Sequence, residues 1–149
     1  LLTNLMIKKL VTNINYNLIK NKNILKCFNS IKKYDSNDWM INKKYFINNN
    51  YTDYSKHVLF RNNTFELILI KWDKGCTTSI HKHPHNGCLM KVLEGNIIEE
   101  RYFDEEKYEL NNLKKDDIGF MHNILGDHKI YALEESYSLH LYSPPNYYN

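Results

Sequence analysis

The sequence predicts a mainly β protein, an antiparallel sandwich or jelly-roll barrel with two helices packed on it from the N-terminal side. Three observations carry this expectation. After residue 35 the apolar residues come in short runs rich in isoleucine, leucine, valine and aromatics, "FELILIKW", "CLMKVLEGNIIEERYF", "DDIGFM" and "YSLHLY", the pattern of strands. Gly75, Gly87, Gly95, Gly119 and Gly126 punctuate those runs, as turns between strands require. Before residue 36 the spacing is helical instead. A chain of 149 residues suits one domain that buries roughly two-thirds of its unfolded surface. The expected organisation is therefore a single domain over 1–149, with a helical segment at 1–35 and the β-barrel at 36–149.

Taken in order, "LLTNLMIKKL" and "ILKCFNSIKKY" place apolar residues at helical intervals, and Ile24, Leu25, Phe28 and Ile31 share one helix face. The "INNN" at 47–50 is too short for a linker, and there is no internal repeat. Net charge is +3, with 20 basic and 17 acidic residues spread along most of the chain, so no nucleic-acid footprint is implied. The first 34 residues are the exception, carrying Lys8, Lys9, Lys20, Lys22, Lys26, Lys32 and Lys33 and no acid; a transit peptide there lacks the expected arginine and serine. No apolar run approaches about 18 residues, so no ordinary membrane-spanning helix is expected. Cys27, Cys76 and Cys88 are odd in number and follow no paired-thiol spacing, which points to a reducing compartment, the cytoplasm, rather than a disulfide framework.

The densest chemistry is "SIHKHPHNGC", Ser79 to Cys88, with three of the seven histidines and one of the three cysteines. If Ser79 to His83 is a strand, His81 and His83 share a face with Cα atoms about 6.7 Å apart, and Lys82 points away. Two imidazoles so placed grip one metal, although a bare H-x-H also arises from chance clustering of surface histidines. In "SLHLY" the same period of two aligns Ser138, His140 and Tyr142 on one strand face, with Leu139 and Leu141 on the other. A Ser-His nucleophile is disfavoured, because same-strand residues do not make the usual nucleophile elbow.

These strings resemble the cysteine dioxygenase family of thiol dioxygenases in the cupin superfamily. The resemblance rests on Trp72, Gly75, Ile80, His81 and His83, then Cys88, Lys91, Val92, Leu93, Gly95 and Asn96, then Gly126 and His128 in "GFMHNILGDHKI", and finally "SLHLYSPP" from Ser138 to Pro145. It implies a cupin-type barrel, with the family's further C-terminal strands lacking here. It implies a ferrous ion, Fe(2+), held by His81, His83 and His128, with His140 the competing choice for third ligand. Three neutral imidazoles, where most cupins add a glutamate, leave the ion its full charge and an open face for an anionic substrate. Zinc also accepts three histidines and water, so iron rests on the resemblance. The implied reaction joins both atoms of O2 to the sulfur of L-cysteine, giving cysteine sulfinic acid, in a monomer that binds neither membrane nor nucleic acid. Ser138 and His140 match a relay that orients the Tyr142 phenol toward the metal, and Cys88 with Tyr142 matches a pair that some members join by a thioether.

The sequence departs from the family at two places. Where cysteine-specific members carry a carboxylate-clamping arginine in a Y-x-R context, this chain reads Tyr54, Ser55, Lys56; lysine supplies charge without a planar fork. Arg61 lies too far along an extended strand to substitute. Gly87 stands where the family often has a histidine before the cysteine. His57, His85 and His122 match no motif and are expected on loops or the surface. Two functions follow: an iron thiol dioxygenase for L-cysteine, with 3-mercaptopropionate or an aminothiol as substitutes, or a catalytically silent metal-binding cupin.

Overall fold

The computed structural model describes residues 4–46 and 53–145. The "INNN" segment and residues 1–3 of the first expected helix lie outside them. Helix α1 spans Leu5–Lys20 and α2 spans Phe28–Lys33, the latter entered through a 3₁₀ turn at Ile24–Cys27. A further 3₁₀ segment covers Asp38–Phe46, so the helical part runs on past residue 35, where it was expected to end. Of the face expected to be apolar, Ile24 and Ile31 are buried while Leu25 is 45% exposed, because the 3₁₀ turn does not keep the α-helical spacing.

Eight strands follow: β1 Tyr54–Arg61, β2 Glu66–Trp72, β3 Cys88–Glu94, β4 Asn96–Phe103, β5 Glu106–Lys114, β6 Ile118–Met121, β7 Asp127–Ala132 and β8 Ser136–Tyr142. They form a five-stranded sheet in the order β1-β2-β8-β3-β6 and a three-stranded sheet in the order β5-β4-β7. Every named pairing is antiparallel. The alternation of side chains explains why the larger sheet is apolar on both faces. Ile68, Ile70, Trp72, Met90 and Val92 face the second sheet and pack with Ile97, Leu113, Ile130 and Ala132. Their neighbours Leu67, Leu69, Leu89, Leu139 and Leu141 face the other way, onto Ile7, Leu10, Ile14, Leu18 and Ile31 of the helical layer. Each such side chain, fully buried, contributes about 1.5–3 kcal/mol.

Two buried charges fasten the helices to the barrel. The Asp38 carboxylate accepts from the backbone N–H groups of Met6 and Ile7 at 2.8 and 2.9 Å, satisfying orphan donors of the α1 N-terminus that the N-cap residue, Asn4, leaves without a side-chain cap. On the outer face of β3, the Lys91 ammonium donates to the carbonyls of Ile31 at 3.0 Å, Lys32 at 3.2 Å and Tyr34, closing the C-terminal end of α2 where the helix leaves carbonyls unmatched. No helix among the described residues is long and apolar enough to cross a membrane.

Candidate metal centre and substrate cavity

The segment carrying His81 and His83 is not the regular strand expected for Ser79 to His83. It runs beside β7 as isolated bridges. Thr77 pairs with Tyr131, so an unbroken register would set Ile80 opposite His128; instead His81 pairs with His128. One extra residue has entered between them, a bulge that leaves Ile80 46% exposed and turns His81 onto the β7 histidine. The two residues exchange both backbone bonds, His81 N–H to the His128 carbonyl at 2.9 Å and His128 N–H to the His81 carbonyl at 3.1 Å. His83 follows at the turn, its N–H given to the Asn123 side-chain oxygen at 3.2 Å, and Pro84 ends any further pairing.

The three histidines come together, with one ligand atom of each within 4.8 Å of the others. His140 is not in this group. His81 Nδ1–H donates to the Ser79 carbonyl at 2.9 Å and His128 Nδ1–H to the Glu99 carboxylate at 2.9 Å. Each bond engages Nδ1 and leaves Nε2 as the nitrogen placed to ligate. Those two Nε2 atoms stand 2.9 Å apart, where the three rings converge. That spacing is short enough for both nitrogens to share one ion. His83 is 1% exposed, and among the described residues neither of its ring nitrogens has a hydrogen-bond partner. A buried imidazole without partners is costly unless it binds something. Burial and the neighbouring imidazoles lower the pKa of His81 to about 4 and that of His83 to about 2, so both rings are neutral and ready to ligate near neutral pH. The donor set fits a divalent metal.

Glu99 and Arg101 are the site residues missing from the sequence expectations. Glu99 is 1% exposed; besides His128 it accepts from Arg101 Nε at 2.9 Å and Asn111 Nδ2 at 3.1 Å. Burial alone raises its pKa, but the bonds from His128 and Arg101 outweigh that and hold the carboxyl below its usual range. Arg101 is itself anchored on the Phe120 carbonyl at 2.7 Å. Gly126, two residues before His128, has φ +93° and lies so close to β4 that a Cβ would stand 2.1 Å from the Tyr102 carbonyl oxygen. Any side chain there pushes β7, and His128 with it, away from Glu99.

Ser138, His140 and Tyr142 sit on the inner face of β8. Trp72 Nε1–H donates to Ser138 Oγ at 2.7 Å, and Ser138 Oγ lies 2.7 Å from His140 Nε2. Ser138 Oγ thus links Trp72 to His140, whose Nδ1 lies 3.2 Å from the Tyr142 phenol oxygen. Burial drives the His140 pKa well below its ordinary value, which keeps the ring neutral. Cys88 on β3 is directly opposite Tyr142 in the ladder, and the phenol hydrogen-bonds the thiol. Burial, reinforced by the Glu99 charge, pushes the Cys88 thiol far up, so it is protonated at rest.

These residues open on a cavity of about 480 Å³ lined by Tyr54, Lys56, Ile70, Trp72, Thr78, Ser79, His81, Lys82, His128, Ile130, His140 and Tyr142. Lys56 lies close enough to His140 and Cys88 for their charges to interact. Burial lowers its pKa, with Glu66 and Cys88 opposing the shift. Arg61 is engaged elsewhere, its Nε bonded to the buried Glu66 at 2.7 Å. Lys82, expected to point away from the histidines, also lines the cavity. Of the remaining histidines, His57 stacks on Tyr45 with ring centroids 4.1 Å apart, His122 accepts from the Ile124 N–H, and His85 is exposed.

Comparison with known proteins bears on the fold and the family. Among solved structures the fold is similar to an RmlC-like cupin from Shewanella frigidimarina, with a TM-score of 0.56 and 20% identity over 66% of this chain and 83% of that one. KdgF from Halomonas sp. gives a TM-score of 0.54 and 20% identity over 66% and 86%. Cysteine dioxygenase type 1 of Danio rerio is 30% identical over 138 residues, 83% of this chain and 66% of that one. The Homo sapiens protein of that name is 31% identical over 94 residues, 56% and 47% of the two chains. The chain thus spans between about half and two-thirds of the length of the curated relatives it matches. The model of the family described as cysteine dioxygenase type I matches residues 3–148, and the chain belongs to that family.

Proposed function

We propose that this chain is an iron-dependent thiol dioxygenase that converts L-cysteine and O2 to cysteine sulfinic acid. The observation that carries the reading is the convergence of three imidazoles, two with their Nε2 atoms 2.9 Å apart and the third buried with no ring-nitrogen partner among the described residues, in a group that contains no carboxylate. Such a set leaves a bound ion its double charge and room for a thiolate. A ferrous ion there would supply the acidity that ionises the substrate thiol and the redox chemistry that joins it to dioxygen; family membership supports iron over zinc.

The chain's own groups do the rest. His81, His83 and His128 hold the ion, and Glu99 fixes His128. Lys56, with the Tyr54 phenol beside it, receives the substrate carboxylate. Trp72, Ser138 and His140 orient the Tyr142 phenol over the cavity, and Ile70, Trp72 and Ile130 exclude water from its wall. Cys88 and Tyr142 are set for oxidation to a thioether: the sulfur and a ring carbon each lose a hydrogen, and dioxygen takes the two electrons and two protons. Lys56 in place of an arginine fork also favours a second reading within the same chemistry, in which 3-mercaptopropionate is turned over as well as cysteine.

The test is oxygen uptake by the iron-loaded protein with L-cysteine, 3-mercaptopropionate and cysteamine, alongside metal analysis. Uptake with the two carboxylated thiols and formation of the sulfinate support the proposal. Stoichiometric metal with no uptake on any thiol identifies a silent metal-binding cupin instead.

A further inference from the structure

One basic group in the cavity has no task in the reaction described above. Lys82 lies between His81 and His83 on the bulged segment, and because that segment is not a regular strand, its side chain is not forced to the face opposite the two imidazoles. It is exposed, and it lines the cavity together with Ser79, which is also exposed. Among the described residues Lys82 makes no ion pair, even though Asp104 and Asp127 border an adjoining hollow that it also lines. Among the described residues, those that line the main cavity include Lys56 and Lys82 and no aspartate or glutamate. A cleft with one sign of charge concentrates ligands of the other. Its volume of about 480 Å³ is in the range that takes ligands far larger than one cysteine.

We propose that the Lys82 ammonium and the Ser79 hydroxyl form an anion subsite at the outer part of the cavity, which binds the second carboxylate of a dicarboxylic thiol whose first carboxylate is taken by Lys56. The thiol end of this assignment rests on the dioxygenase reading; the subsite itself does not. The test therefore begins with metal-free protein and ligands that carry no sulfur. Titration with succinate and with butyrate, followed by nuclear magnetic resonance at low salt, is expected to show succinate binding roughly threefold to fivefold more tightly, the effect of one exposed charge pair. Lys82→Gln should abolish the difference and Lys82→Glu should reverse it, while Lys115→Gln, at an exposed lysine elsewhere, should leave it in place. Iron-loaded protein should then favour mercaptosuccinate over 3-mercaptopropionate in kcat/KM, and Lys82→Gln should remove that preference. Equal binding of succinate and butyrate to the unaltered protein, a difference that survives Lys82→Gln, or its loss in Lys115→Gln would overturn the subsite. A succinate preference that depends on Lys82, with no oxygen uptake on any thiol, supports the subsite and removes the dioxygenase reading instead.

Discussion

Replacing Glu99 with glutamine keeps the volume behind His128 and removes the charge. One carboxylate oxygen accepts from His128 Nδ1 at 2.9 Å, and the other accepts from Arg101 Nε at 2.9 Å and Asn111 Nδ2 at 3.1 Å. Glutamine has a single oxygen to offer these donors. If it serves Arg101 and Asn111, its amide N–H faces His128 Nδ1, and the imidazole must then carry its proton on Nε2, in the space where the three histidines converge. If it serves His128, an NH2 group is set against two donors in a buried place, which costs about 1–3 kcal/mol for the unmet bonds. Either outcome weakens ligation. Loss of an outer carboxylate of this kind typically lowers metal affinity about 10- to 100-fold, equivalent to about 1.4–2.8 kcal/mol. The assay is competitive titration of ferrous iron or zinc against a chromophoric chelator, with a thermal melt to establish that the variant is folded. A folded Glu99→Gln protein whose affinity stays within about threefold of the unaltered protein would refute the argument that Glu99 sets the His128 tautomer.

Further outcomes are expected elsewhere in the molecule. If Lys56 holds the substrate carboxylate, Lys56→Met should raise the KM for cysteine roughly 10- to 100-fold, the worth of a hydrogen bond to a charged group, while Lys56→Arg should lower it; initial rates with cysteine and cysteamine check this, since cysteamine has no carboxylate to lose. After many turnovers, peptide mass spectrometry should find the Cys88 and Tyr142 peptides joined with two hydrogens lost, and Cys88→Ser should prevent the link. Lys91→Met should remove the side-chain donor shared by the carbonyls of Ile31, Lys32 and Tyr34 and destabilise the fold by about 1.5–3 kcal/mol, seen in chemical denaturation, while metal affinity in the folded variant is unchanged.

The alternation that exposes Ser138, His140 and Tyr142 on one face of β8 was legible because the strand is buried on both sides and its two faces differ in chemistry. The pairing of Cys88 with Tyr142 follows from neighbouring strands whose motifs the sequence already marks. Strands β1, β5 and β7 gave no comparable signal. The β5 residues are mostly exposed, so packing demanded no apolar alternation there. Glu99 sat unnoticed in "IIEERYF", where a carboxylate reads as surface; yet Ile97, Glu99 and Arg101 share a face by the period of two, and that was the available clue. The bulge before His81 had no clue of this kind, because an inserted residue changes register without changing composition. Lys91 was noted only as part of a motif; its service to α2 depends on a contact across 60 positions of chain.

The most direct measurement is mass spectrometry of the product formed from L-cysteine under heavy-oxygen O2 by the iron-loaded protein, run beside His83→Ala and His85→Ala. The account predicts cysteine sulfinic acid carrying two heavy oxygen atoms from the unaltered protein and from His85→Ala, and neither product nor bound iron in His83→Ala. Sulfinate with one or no heavy oxygen, or full turnover by His83→Ala, would contradict it.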